Sequence, residues 1–113
     1  DEDYFMYAEE TDWCYRMRQA GWQVYYLPGA RAVHRSGASA GGAPERHRSQ
    51  VYRSKCLFMR KHRGRLAASV FRRTVWVLSA LKLLVWGASI VAPGRRRRAL
   101  QEVRSYALLL SEL

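Results

Sequence analysis

Three carboxylates fall within four positions, at Glu9, Glu10 and Asp12, and Trp13 follows them directly. The next residues read as a short helix, from about Thr11 to Ala20. Trp13, Met17 and Ala20 recur at i, i+4 and i+7, Arg16 and Arg18 lie towards the C-terminal end, and Gly21 sits just past it. A helix N-terminus carries partial positive charge on its unpaired N–H groups, which stabilises an exposed carboxylate as an anion by about 0.3–1 kcal/mol. The acidic trio therefore reads as a functional group of carboxylates, as helix capping, or as a solvated acidic face that balances a basic chain. Asp1, Glu2 and Asp3 carry no signal beyond the last of these.

The charge distribution frames the trio. Six of the nine acidic residues lie in positions 1–13, where there is no Lys or Arg, and the remaining positions carry all twenty basic residues of a chain whose formal net charge is +11. Such an excess attracts polyanions: nucleic acid, anionic lipid or the diphosphate of a substrate. A length of 113 residues allows one small domain with little surface to spare for an elaborate site. The chain opens at full complexity without Met, and reads as the C-terminal part of a longer protein. Cys14 and Cys56 are isolated, with no metal-ligand or disulfide spacing.

The elements that must position the trio divide at "SGASAGGAP", residues 36–44, where no periodicity survives. Before it, "WQVYYL" reads as a strand, "PG" at 28 and 29 as a turn, and "ARAVH" as a second extended segment ending at His34. After it comes a helix from about Glu45 to Lys61, then Gly64, then the apolar run "TVWVLSALKLLVWGASIVAP" at 74–93 with Lys82 as its one charge, and then Arg95 to Arg98. Twenty helical residues span about 30 Å, but a lysine near the centre of a bilayer costs about 2.5–3.5 kcal/mol. A helix lying in the membrane interface avoids that cost, with Trp76, Trp86 and the arginines at headgroup level. A hairpin folded onto its own protein is the third reading of the tail.

The ordered string "FMYAEETDWCYRMRQAGWQVYYLPGARAVHRSG" resembles the C-terminal part of the catalytic domain of family 2 glycosyltransferases. These are the inverting GT-A enzymes that include bacterial rhamnosyl- and galactofuranosyltransferases. The resemblance rests on the acidic motif, Ala-Gly-Trp and Pro-x-Ala-x-x-x-His in that order. It is strongest over residues 3–37 and weaker over 45–113. It implies an α/β architecture: residues 1–44 as part of a GT-A nucleotide-sugar transferase domain, and 45–113 as an α-helical, membrane-associated tail.

Carried over residue by residue, the resemblance makes Glu10 the general base that deprotonates the acceptor hydroxyl, although the family usually has Asp there. Glu9 is the alternative base. Asp12 would face the acceptor or hold the helix start, Trp13 would stack on a sugar, and His34 would ligate a divalent metal, Mg²⁺ or Mn²⁺. The resemblance places the Asp-x-Asp motif that supplies the other ligands in the family upstream of residue 1. Trp22, Tyr25 and Tyr26 read chiefly as packing residues. Implied partners are a nucleotide-sugar donor, a glycan or lipid-linked acceptor and an anionic membrane surface, with the protein at the cytoplasmic face of the cell membrane. Two other functions use the same residues differently. A nucleic-acid-binding module would use the Arg-rich stretch from Arg46 to Arg73, but no zinc-finger, RNP or KH signature accompanies it. A non-catalytic membrane-associated assembly protein would need only the tail.

Overall fold

The computed structural model describes residues 1–33, 44–91 and 94–113. Three helices follow in order: α1 (Glu9–Gln19), α2 (Pro44–Ser89) and α3 (Arg96–Glu112). There is no strand among the described residues, which overturns the α/β architecture expected from the sequence. Residues 22–27 run without regular structure, and Trp22, Val24, Tyr25, Tyr26 and Leu27 are all exposed. The physical reason is that a strand exists only as one side of a hydrogen-bonded ladder. No second strand lies beside this segment among the described residues, so β-propensity alone leaves it unpaired. The turn at 28 and 29 does form, with the Ala30 N–H donating to the Leu27 carbonyl at 3.2 Å.

α1 begins two residues before the expected start, so the acidic trio lies in its first turn rather than ahead of it. The residues leading in, Tyr7 and Ala8, have φ of 69° and 65°. This left-handed conformation costs non-glycine residues roughly 1–2 kcal/mol each. At the other end Gly21, at φ 87°, closes a Schellman motif. The Trp22 N–H donates to the Met17 carbonyl at 3.0 Å and the Gly21 N–H to Arg18 at 3.1 Å.

α2 is two helical arms, residues 44–63 and 65–89, joined at Gly64 with φ 87° and ψ 173°. That combination is open essentially to glycine alone. It breaks the helix and lets α3 pack against both arms. The core is Val75, Tyr106 and Leu109, with Tyr52 from the first arm and Phe71, Leu83 and Trp86 from the second. Leu109 is fully buried, which stabilises the packing by roughly 1.5–3 kcal/mol. Lys82, the charge within the apolar run, lies 5.6 Å from the centre of the Tyr106 ring, and the Arg48 guanidinium lies 4.1 Å from it.

The second arm of α2 therefore forms a hairpin with α3. Its other face, with Leu66, Val70, Val77, Leu81 and Leu84 at helical spacing, is exposed. No helix among the described residues is long and apolar enough to cross a membrane.

Candidate functional site

The N-terminal segment is laced onto the first arm of α2 by side chains along one face. His47, Gln50, Ser54 and Lys61 follow a spacing of three, four and seven residues. The Tyr7 hydroxyl lies 2.6 Å from His47 Nδ1, and the Met6 carbonyl accepts from Ser54 Oγ at 2.7 Å and from Gln50 Nε2 at 3.4 Å. Lys61 Nζ lies 2.5 Å from both Asp1 and Asp3, and this ammonium, by hydrogen bond and charge, lowers the Asp3 carboxyl below its ordinary value. The acidic N-terminus thus has a structural partner in α2.

Asp12 is the centre of the arrangement. Its side chain is fully buried, with Oδ1 2.6 Å from His62 Nε2 and 3.3 Å from the Tyr4 hydroxyl, and Oδ2 2.7 Å from Arg16 Nε. Burial alone would raise the pKa of this carboxyl. The hydrogen bonds from His62 and Arg16, the guanidinium charge and the Tyr4 hydroxyl outweigh it and bring the value down to about 2. The same burial, reinforced by the Asp12 charge, pushes the Tyr4 phenol up. The His62 ring sits between Tyr15 and Phe58, with centroids at 4.5 and 4.7 Å, and its side chain is only 11% exposed.

This geometry separates the three acidic residues. α1 turns Asp12 and Tyr15 towards α2, so Trp13, Met17 and Ala20 do not form the buried stripe expected of them, and Trp13 is 60% exposed. Glu9 and Glu10 point outwards and neither forms an ion pair among the described residues. Glu10 lines a pocket of about 270 Å³ between α1 and the first arm of α2, together with Tyr7, Thr11, Lys55 and Phe58. Asp12 is a committed ion held in place, whereas Glu10 is an available carboxylate beside an open volume.

His34 lies outside the described residues, as does most of the small-residue segment before α2. Among the described residues no three His, Cys, Asp or Glu side chains come together in a way that could hold a metal ion. Both Asp12 oxygens are already engaged by protein donors. The described residues do not fit a metal centre.

Sequence reasoning missed Tyr4 and His62, which bond Asp12, and Tyr15 and Phe58, which pack on the His62 ring. The 47, 50, 54, 61 spacing of polar residues marks a helix face that had to meet something polar, but nothing in it pointed to Asp12.

Comparison with known proteins bears on the same residues. No protein-family model matches the chain, and no solved structure matches it. The chain is 31% identical over 98 residues to an N-acetylglucosaminyl-diphospho-decaprenol L-rhamnosyltransferase of Mycobacterium tuberculosis, in both strain CDC 1551 / Oshkosh and strain ATCC 25618 / H37Rv. The match takes in 87% of this chain and 32% of the relative. The chain thus spans about a third of the length of the curated relatives it matches, and this similarity supports a glycosyltransferase relationship.

Proposed function

We propose that the chain is part of an inverting glycosyltransferase that moves a sugar from a nucleotide-sugar donor to an acceptor hydroxyl. The observation that carries this reading is the 31% identity to a rhamnosyltransferase over 87% of the chain. It supports a deoxyhexose donor and a sugar on a polyprenyl diphosphate as acceptor, and so a place in cell-envelope glycolipid synthesis.

The step is a displacement at the anomeric carbon. The acceptor oxygen forms the new C–O bond, the bond to the nucleoside diphosphate breaks, and the acceptor proton passes to a carboxylate. Glu10 is the carboxylate proposed for that proton, because it is exposed beside a pocket and forms no ion pair among the described residues; Glu9, one residue back, is the alternative. Asp12 acts at one remove, by fixing α1 on α2 so that Glu10 keeps its place. Trp13, exposed on the same helix, offers a flat apolar face to a sugar ring.

The exposed apolar stripe of α2, flanked by Trp76, with Arg95, Arg96 and Arg97 exposed beyond its end, suits the face of an anionic membrane where a lipid-linked acceptor resides. On this reading the protein works at the cytoplasmic face. The isolated chain is expected to be inactive, so the test is to incubate the intact enzyme that contains it with a panel of nucleotide sugars and a polyprenyl-diphosphate-linked sugar, and to follow release of nucleoside diphosphate together with extension of the lipid-linked glycan. Transfer with inversion at the anomeric carbon supports the reading. Donor hydrolysis alone, or no turnover with any donor, contradicts it.

A further inference from the structure

The two arms of α2 carry the same arrangement of residues on either side of Gly64. In the first arm Arg53, Cys56, Leu57 and Arg60 stand at i, i+3, i+4 and i+7; in the second Arg65, Ala68, Ser69 and Arg72 repeat the spacing. Each set lies on one helix face, with an arginine at each end and small or apolar residues between. The bend at Gly64 brings both faces onto one cleft of about 540 Å³, which all eight residues line. A straight helix could not do this, because residues twelve apart would lie about 18 Å apart along one axis.

The charge in the cleft is one-sided. Four arginines and one acidic side chain, Glu112, line it with Leu113 beside them; Glu112 accepts from Ser49 Oγ at 2.5 Å and lies 3.9 Å from Arg53. Arg60, Arg65 and Arg72 have no acidic partner within ion-pair distance among the described residues. The floor is apolar. Burial pushes the Cys56 thiol up, against a smaller pull from Arg72 on the opposite arm. Guanidinium groups spread around a concave, apolar-floored volume suit an anion with several oxygens, since each guanidinium can donate two parallel hydrogen bonds. The volume falls in the range of small-molecule pockets, about 300–1,000 Å³.

We propose that this cleft is a diphosphate-binding site, with one arginine pair from each arm of α2 gripping the anion. A diphosphate could arrive on a lipid or on a nucleoside, and the structure favours the lipid. Leu66 and Val70 begin the exposed apolar stripe of the second arm immediately beside Arg65 and Ser69, so a prenyl chain leaving the cleft would meet apolar surface at once. The choice of a lipid source rests on the transferase reading; the diphosphate site does not.

The test is direct binding to the purified protein by calorimetry, with three probes: inorganic diphosphate, uridine diphosphate, and farnesyl diphosphate in neutral detergent micelles. Two double variants remove equal charge. Arg65→Gln/Arg72→Gln alters the cleft, and Arg96→Gln/Arg97→Gln alters exposed arginines on α3. Inorganic diphosphate should bind saturably to the wild type, roughly 30-fold or more weakly to the cleft variant given the strength of charge-assisted hydrogen bonds, and within threefold of wild type to the α3 variant. Far-UV circular dichroism checks that helix content is kept, and Arg60→Gln serves as a milder variant if the double one unfolds.

Equal weakening in both variants, or no saturable binding of any probe, would overturn the site. Farnesyl diphosphate binding more tightly than inorganic diphosphate is expected, and uridine diphosphate binding more tightly than farnesyl diphosphate would overturn the lipid source. Binding is read without turnover. An intact enzyme that binds diphosphate yet transfers no sugar contradicts the transferase reading and leaves the cleft standing, whereas an active enzyme whose cleft variant binds normally contradicts the cleft.

Discussion

Nε2 of His62 lies 2.6 Å from Oδ1 of Asp12 across fifty residues of sequence. The carboxylate stays ionised down to a pH of about 2 and can only accept, so Nε2 is the protonated nitrogen of the ring. This contact fixes α1 on the first arm of α2 and sets the rotation of α1 about its axis. It turns Asp12 inwards and leaves Glu9 and Glu10 outwards, and so decides which carboxylates are available for chemistry.

Asp12→Ala should destabilise the protein by about 2–4 kcal/mol, because it removes the acceptor for His62, Arg16 and Tyr4 and leaves their donors unpaired. The midpoint of urea unfolding measures this. A double-mutant cycle with His62→Ala should show a coupling of about 1 kcal/mol or more. Additivity within about 0.5 kcal/mol would mean that the contact contributes little.

The same carboxylate makes stability depend on acid. Its folded value of about 2 lies below the ordinary 3.8, so the unfolded state binds the proton first and the stabilisation is fully present above pH 4. It is lost as pH falls towards 2, by an amount of about 2 kcal/mol. Unfolding free energies between pH 5 and 2 should show this loss in the wild type, and Asp12→Asn should flatten it. An unchanged slope in the variant would assign the acid sensitivity to other groups.

α1, its glycine stop and the break at Gly64 were legible because each depends on local chemistry: helical spacing, and backbone angles that glycine supplies. The strand at 22–27 was misread because its aromatic and β-branched residues report only a preference, while a strand needs a partner that local sequence does not name. Trp22, Tyr25 and Tyr26 were assigned chiefly to packing for the same reason, and all three are exposed. His62 was invisible beside Asp12 because no periodicity links residues fifty apart. The hairpin was one of three readings of the tail. The second arm of α2 packs on α3, where Lys82 lies over Tyr106, and its opposite face stays exposed, an arrangement that depends on α3 and not on the apolar run alone.

Gly64→Ala should destabilise the protein by roughly 1–3 kcal/mol even though a Cβ there meets open space, because φ 87° with ψ 173° excludes side chains. The variant should relieve strain by straightening α2, which separates the two arginine stripes. Thermal unfolding reads the first effect and small-angle scattering the second. A melting temperature equal to wild type would mean that the bend is not a constraint.

Arg95, Arg96, Arg97 and Arg98 are all exposed, and Arg98 lies 5.7 Å from the Trp86 ring centre. Replacing all four by Gln should weaken binding to anionic vesicles by roughly 1 kcal/mol for each arginine that reaches the surface. The deficit should shrink as salt rises. Vesicle flotation across a salt series measures it. Equal binding by the variant at low salt would place the membrane contact elsewhere.

The most direct measurement of the central claim is transfer by Glu10→Gln in the intact enzyme that contains this chain, with turnover at saturating nucleotide sugar compared against donor affinity. Loss of a general base predicts kcat lower by about 10² or more with donor binding nearly unchanged, while Glu9→Gln and Trp13→Ala cost less in kcat. Asp12→Asn should lower stability before it lowers kcat in the surviving folded fraction. Turnover by Glu10→Gln within threefold of wild type would contradict the assignment of the acceptor proton to this carboxylate.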